Sequence, residues 1–281
     1  MKLAVIGSGT MGSGIIQTIA SCGQDICLKS RSKESIDECL TLLNKNLSRL
    51  VSKEKIDDAK KEEILSHVSS TIDYEDLKDM DLIIEASVED MNTKKDIFKL
   101  LDELCHSETI LATNTSSLSI TEIASATKRP NKVIGMHFFN PVPMMDLVEI
   151  ISGQLTSKVT FDTVFELSKS INKVPVNVSE SPGFVVNRIL IPMINEAIGI
   201  YADGVANKEE IDEAMKLGAN HPMGPLALSD LIGLDVVLAI MNVLYTEFGD
   251  TKYRPHPLLA KMVRANQLGR KTKIGFYDYN K

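Results

Sequence analysis

Leu3-Ala4-Val5-Ile6-Gly7-Ser8-Gly9-Thr10-Met11-Gly12 stands near the start of the chain, and its reading decides the fold. Four apolar residues in a row read as a strand buried on both faces, after which Ile15, Ile16, Ile19 and Ala20 recur at helical spacing. Between strand and helix lies G-x-G-x-x-G, in the context that gives the pattern meaning. Gly7 permits the tight turn, Gly9 lets the backbone approach a pyrophosphate, and Gly12 lets the helix pack close on its strand. With Ser8, Thr10 and Met11 they form a loop that opens a helix N-terminus, where unpaired N–H groups and partial positive charge favour phosphates. The reading is dinucleotide binding, against the blander one of a glycine-rich turn.

Working outward, further strands are predicted over 26–29, 68–72, 82–86, 110–113, 133–137, 147–151 and 174–178, with helical segments between most of them. Such alternation implies an α/β fold with a doubly wound, mostly parallel sheet covered by helices on both faces. The stretch 32–66 is too long for one crossover and reads as an inserted pair of helices, carrying Lys45, Arg49, Lys53, Lys55, Lys60 and Lys61. A charged pair of this kind is either a solvated face or a resting place for a phosphorylated tail. After Ser181-Pro182-Gly183 the pattern turns helical, with Ile189, Met193, Ile194, Ala197 and Ile200 on one face and helices expected over 208–217, 226–231, 234–246 and 257–266. The predicted domains are 1–181 and a smaller all-α domain, 182–281. The abundance of apolar residues in the second suggests burial against another copy of itself, a homodimer.

Bulk composition agrees. A chain of 281 residues with 43% hydrophobic content is long for one core and suits two. A net charge of −7 argues against nucleic acid as the main partner, while a local basic patch still suits a phosphorylated small molecule. Cys22, Cys27, Cys39 and Cys105 show neither C-x-x-C spacing nor disulfide density, which points to buried free thiols, no metal site and a reducing cytoplasm. The leading apolar run, Leu3 to Ile6, is too short for a signal-peptide core, and no stretch reaches the roughly 20 apolar residues of a membrane span.

The chemistry centres on Met136-His137-Phe138-Phe139-Asn140-Pro141-Val142-Pro143, where a histidine closes a strand-like run before a proline-stiffened turn. Histidine changes charge near neutral pH, so a strand end opening onto a cleft suits a general acid/base. Alone, such a residue is more often a hydrogen-bonded structural histidine. Its company changes that reading. The motif Gly7 to Gly12, Asn114-Thr115-Ser116-Ser117-Leu118, His137-Phe138-Phe139-Asn140-Pro141, Leu147-Val148-Glu149, Ser181-Pro182-Gly183-Phe184-Val185-Val186-Asn187-Arg188 and His221-Pro222-Met223-Gly224-Pro225 occur in this order. Together they resemble the L-3-hydroxyacyl-CoA dehydrogenase family from end to end, with a compactness like that of bacterial 3-hydroxybutyryl-CoA dehydrogenases.

The resemblance implies a Rossmann-type domain and an oxidoreductase that moves a hydride between a nicotinamide cofactor and a short 3-hydroxyacyl-CoA. It implies His137 as the base and Glu149 as the carboxylate that fixes its tautomer. Ser116 and Asn187 would orient the reacting oxygen; by themselves they read only as a strand-end cap and an early helix residue. It also places Asn114, Ser116, Glu89, Lys94 and Lys271 beside the dinucleotide, and Arg49 and Lys53 near the coenzyme A nucleotide. Other functions stay open on these residues: a dehydrogenase of free hydroxy acids, or a nucleotide-binding relative without catalysis, against which intact Ser116, His137, Glu149 and Asn187 argue.

Three positions depart from the family pattern. Most NAD-linked members end the second strand with an acid that binds the adenosine ribose, and here Ser30-Arg31 stands there; Asp25 precedes the strand. Losing the acid removes repulsion of a 2′-phosphate, while a hydroxyl and a guanidinium suit one, so NADP(H) is expected over NAD(H). Asp146 replaces a common lysine, and Lys273 a glycine near Lys271.

Overall fold

The computed structural model describes residues 1–280, and the chain divides into two compact units, Met1–Glu180 and Ser181–Lys281. The first unit contains β1 (Leu3–Ile6), β2 (Ile26–Lys29), β3 (Val68–Thr71), β4 (Leu82–Glu85), β5 (Ile110–Thr113), β6 (Val133–Phe138), β7 (Leu147–Ser152) and β8 (Val174–Ser179). They form one sheet in the order β3-β2-β1-β4-β5-β6-β7-β8. Every pairing is parallel except that of β6 with β7. The order reverses at β1, which has β2 on one side and β4 on the other, and that switch point is where open α/β sheets bind ligands. Strands β1, β2, β4, β5 and β6 are buried at every residue, as continuous apolar runs between two helical layers must be.

The helices of this unit are α1 (Thr10–Ser21), α2 (Lys33–Ser52), α3 (Asp58–Ser66), α4 (Met91–Leu104), α5 (Ile120–Ala124) and α6 (Lys158–Ser170). The expected insertion is the pair α2 and α3. Ser32 and Ser35 form a reciprocal capping box at the start of α2, and Asp57 caps α3. On α2, Ile36, Cys39, Leu43 and Leu47 recur every three or four residues and join the apolar cluster of Leu3, Val5, Ile19 and Leu28, leaving Lys45 and Arg49 exposed. Five strand ends differ from expectation by one residue, β3 stopping at Thr71 and β7 and β8 running on to Ser152 and Ser179. Ala86 lies beyond β4, and β6 runs on through Phe138, so that His137 is held inside the ladder.

The second unit is all helical: α7 (Val186–Ala202), α8 (Lys208–Gly218), α9 (Pro225–Ile232), α10 (Leu234–Phe248) and α11 (Pro257–Arg264). Ile191, Ile194, Ile198, Leu234, Val237, Met241 and Leu244 belong to its own core. Helices α9 and α10 meet at 96° through Gly233, whose φ of 103° lies outside the range most side chains tolerate. Two buried carboxylates fasten the C-terminal segment. Asp230 accepts the N–H groups of Phe276 and Tyr277, and Asp212 accepts those of Leu226 and Ala227 together with the Tyr277 hydroxyl. Among the described residues, no single helix is long and apolar enough to cross a membrane.

Candidate active site

The turn after β1 has the shape its glycines predict. Gly7 adopts a φ of 116°, and a Cβ there would lie 2.4 Å from the carbonyl oxygen of Ala86. A Cβ on Gly12 would lie 1.9 Å from the carbonyl oxygen of Gly7, so both positions close backbone contacts that only glycine allows. Gly9 is the opposite case: nothing comes within 4 Å of a Cβ built there, and Gly9 and Thr10 are exposed. Helix α1 starts at this open side without a side-chain cap, although α2, α3, α4 and α6 each have one. Its first N–H groups are thus left for a ligand, and a dinucleotide pyrophosphate fits them.

Beyond β2, Ser30 is buried, and its hydroxyl bonds Ser8 Oγ at 2.9 Å and Ser35 Oγ at 2.7 Å. Lys29 turns away, its ammonium 3.5 Å from the centre of the Tyr74 ring and its pKa lowered by burial. Arg31 is exposed and has no hydrogen bond or ion pair among the described residues. The first acid that follows, Glu34, is held below the usual carboxylate range by its own backbone N–H and the Ser32 hydroxyl.

His137 and Glu149 face each other directly across the antiparallel pair β6 and β7. Nδ1 of His137 lies 2.8 Å from Oε2 of Glu149, with the two residues 5% and 1% exposed. The imidazole also packs on Phe139, ring centres 4.5 Å apart. Asn114 ties this strand to β5, its Oδ1 accepting the N–H of Phe138 at 2.9 Å. Beside it, Glu89 Oε1 accepts both the N–H and the hydroxyl of Ser116, at 2.8 and 3.0 Å, and the Thr115 hydroxyl at 2.7 Å. Lys94 is 1% exposed and gives its ammonium to both oxygens of Glu85 at 2.9 Å, with Glu89 Oε2 at 3.5 Å.

The first unit therefore brings together His137 with Glu149, and Ser116 with Glu89 and Lys94. Asn187 and Lys271 belong to the second unit. Asn187 is in the first turn of α7, whose start is fixed by Arg188 bonding Ser181 at 3.0 Å and stacking on Phe248. Lys271 pairs with Asp235. Lys273, where relatives have glycine, holds a φ of 61°, a conformation that costs a side-chain-bearing residue about 1–2 kcal/mol. Arg49 and Lys53 stand exposed at the C-terminal end of α2, one turn apart and in line with Lys45, with no ion pair among the described residues. Among the same residues no three His, Cys, Asp or Glu side chains gather as a metal site. Sequence reasoning passed over Glu85; an acid ending the run Leu82-Ile83-Ile84, with Lys94 in the next helix, was the available signal.

A doubly wound sheet with an uncapped glycine turn at its switch point defines a dinucleotide-binding domain, and the same sheet carries the buried His137–Glu149 pair. Comparison with known proteins makes the class specific. Residues 2–181 match the 3-hydroxyacyl-CoA dehydrogenase NAD binding domain and residues 183–279 the C-terminal domain of the same enzymes. The chain is 87% identical over 281 residues to the 3-hydroxybutyryl-CoA dehydrogenase of Clostridioides difficile, covering 100% of both. It is 40% identical to the human mitochondrial hydroxyacyl-coenzyme A dehydrogenase, over 99% of this chain and 90% of that one. The crystal structure of (S)-3-hydroxybutyryl-CoA dehydrogenase from Ralstonia eutropha superposes with a TM-score of 0.97 at 49% identity, covering 100% of this chain and 99% of that one. The chain belongs to the 3-hydroxyacyl-CoA dehydrogenase family.

Proposed function

We propose that the protein interconverts (S)-3-hydroxybutyryl-CoA and acetoacetyl-CoA, with NADP(H) favoured over NAD(H), as a cytoplasmic homodimer formed through its helical domain. The observation that carries the reaction is the buried 2.8 Å contact of His137 with Glu149 in the same sheet as the dinucleotide turn. Glu149 occupies Nδ1, so Nε2 is the nitrogen that exchanges a proton with the substrate oxygen. In alcohol oxidation that proton leaves the hydroxyl for Nε2, and the carboxylate stabilises the imidazolium that results. The nicotinamide, when bound, accepts the hydride from the same carbon or returns it. Ser116 and Asn187 hydrogen-bond the reacting oxygen, the Ser116 hydroxyl turning its one proton from Glu89 to that oxygen when substrate is bound. Residues 7–12 hold the pyrophosphate, with Glu89, Lys94, Asn114 and Lys271 near the cofactor. Arg49 and Lys53 supply positive charge for the coenzyme A phosphates.

Cofactor choice rests on Ser30-Arg31. Buried Ser30 cannot repel a 2′-phosphate, and the unpaired guanidinium of Arg31 suits one. The test is oxidation of NADPH and NADH in parallel with acetoacetyl-CoA and with free acetoacetate. We expect turnover of the thioester and a preference for NADPH in kcat/KM of roughly tenfold or more, the worth of a charge-assisted hydrogen bond. Arg31→Ala should erase most of that preference. Equal turnover of the free acid would overturn the substrate, and a clear NADH preference the cofactor.

A further inference from the structure

Glu85 ends β4 with a carboxylate that is fully buried at 0% exposure. Its Oε1 accepts the N–H and hydroxyl of Ser87 at 2.7 and 2.6 Å, its Oε2 the Thr113 hydroxyl at 2.7 Å, and both oxygens the Lys94 ammonium. Buried ion pairs seldom add stability over well-packed apolar residues, because desolvation offsets their attraction. A pair built this completely calls for another role, and its continuation supplies one. Lys94 also faces Glu89, and Glu89 in turn holds the N–H and hydroxyl of Ser116. A chain of charge-assisted contacts thus runs from the ends of β4 and β5 to Ser116. Two carboxylates share one ammonium along it, so Lys94 is committed to protein oxygens. Ala86, next to Glu85, also forms the wall against which Gly7 turns. Glu85 therefore sits where the dinucleotide turn and the Ser116 loop meet.

We propose that Glu85 is a positioning residue for the reaction: by fixing Lys94 it sets the Glu89 carboxylate, whose hold on the Ser116 N–H places the Ser116 hydroxyl where it can turn its proton to the substrate oxygen. This rests on the reading of Ser116 given above. Without the charge of Glu85, the ammonium draws on Glu89 alone, and Glu89 loses its hold on Ser116.

The test is a double-variant cycle with Glu85→Gln and Ser116→Ala, following kcat, KM for both substrates and the unfolding midpoint. Ser116→Ala should lower kcat by about tenfold in the wild-type background and by less than about threefold in Glu85→Gln, because the second change then removes a hydroxyl already misplaced. Loss by the same factor in both backgrounds would overturn the role of Glu85 and leave that of Ser116 standing. Ser116→Ala with wild-type kcat would overturn the role of Ser116 and this inference with it. Glu85→Gln leaves Lys94 without its main counter-charge; if that variant does not fold, Glu85→Gln/Lys94→Met, neutral at both positions, takes its place in the cycle with the same expected outcomes.

Discussion

Replacing Glu149 with glutamine tests the proposed acid/base pair most directly. The side chain keeps its size and an acceptor oxygen but loses its charge at a site 1% exposed, 2.8 Å from Nδ1 of His137. The imidazolium formed during alcohol oxidation then lacks a charge-assisted hydrogen bond worth about 1.5–3 kcal/mol, which alone is roughly 10- to 150-fold in kcat. Glutamine adds a second cost. Rotated so that its amide donates to Nδ1, it places the imidazole proton on Nε2, the nitrogen that must be free to act as base. In serine proteases the analogous change costs about 10⁴ in kcat. The expected loss is therefore about 10² to 10⁴ in kcat, with KM for both substrates moved by less than about threefold, since the effect falls on the transition state. Initial rates followed by reduced nicotinamide absorbance measure it, and circular dichroism checks that the fold persists. A folded Glu149→Gln enzyme with more than about a third of wild-type kcat would refute the assignment of Glu149 as partner of the base.

Gly12→Ala should damage the dinucleotide turn, because the new methyl lies 1.9 Å from the carbonyl oxygen of Gly7 and only backbone can move to relieve it. Calorimetric titration should show dinucleotide binding weakened by tenfold or more, and thermal unfolding a loss of about 1–3 kcal/mol typical of overpacking; unchanged binding contradicts the geometry. The thiols give a test independent of catalysis. Burial raises all four thiols, Cys39 and Cys105 up to about 11; exposure is what sets Cys22 apart. At pH 8 Cys39 and Cys105 are ionised to about one part in a thousand. A disulfide reagent at that pH should modify Cys22, the one cysteine that is partly exposed, ahead of the other three, which react as the chain unfolds. Rapid modification of two or more thiols in the native protein runs against this.

Backbone constraints were the most legible part of the sequence. The residues 7–12 can be read because Gly7 and Gly12 answer to contacts that no other residue satisfies, and the structure displays those contacts. Helix α2 could be read from the spacing of Ile36, Cys39, Leu43 and Leu47 and from the Ser32 cap. The network behind Ser116 was harder. Glu85 looks from its neighbours like a strand reaching solvent, and only the fold of α4 over the strand ends brings Lys94 onto it, nine residues later. Asp212 and Asp230 escaped notice for the same reason: each lies on a helix as an ordinary acid and becomes a clamp only when distant N–H groups arrive. Burial of a charge is a property of the whole fold, and one-dimensional periodicity does not carry it.

The single antiparallel pairing of the sheet makes the His137–Glu149 contact possible. Had the chain left β6 for another parallel neighbour, a crossover of a dozen or more residues would have been needed to reach it. Instead β7 begins at Leu147, soon after β6 ends at Phe138, and runs back, so that His137 and Glu149 fall into direct register with their side chains on one face. Cross-strand partners of this kind bring Cβ atoms to about 4.5–5.5 Å, close enough for an imidazole and a carboxylate to meet. The reversing loop must hold still for the register to hold. Lys173 serves that end: 7% exposed, it donates to the carbonyl oxygens of Val142 at 2.7 Å and Met145 at 2.8 Å, and burial lowers its pKa. Gly14 of α1 packs against the Val142 side chain, so close that a Cβ would lie 2.9 Å from it. The helix that opens at the dinucleotide turn thus also packs against the loop that joins the strands of His137 and Glu149.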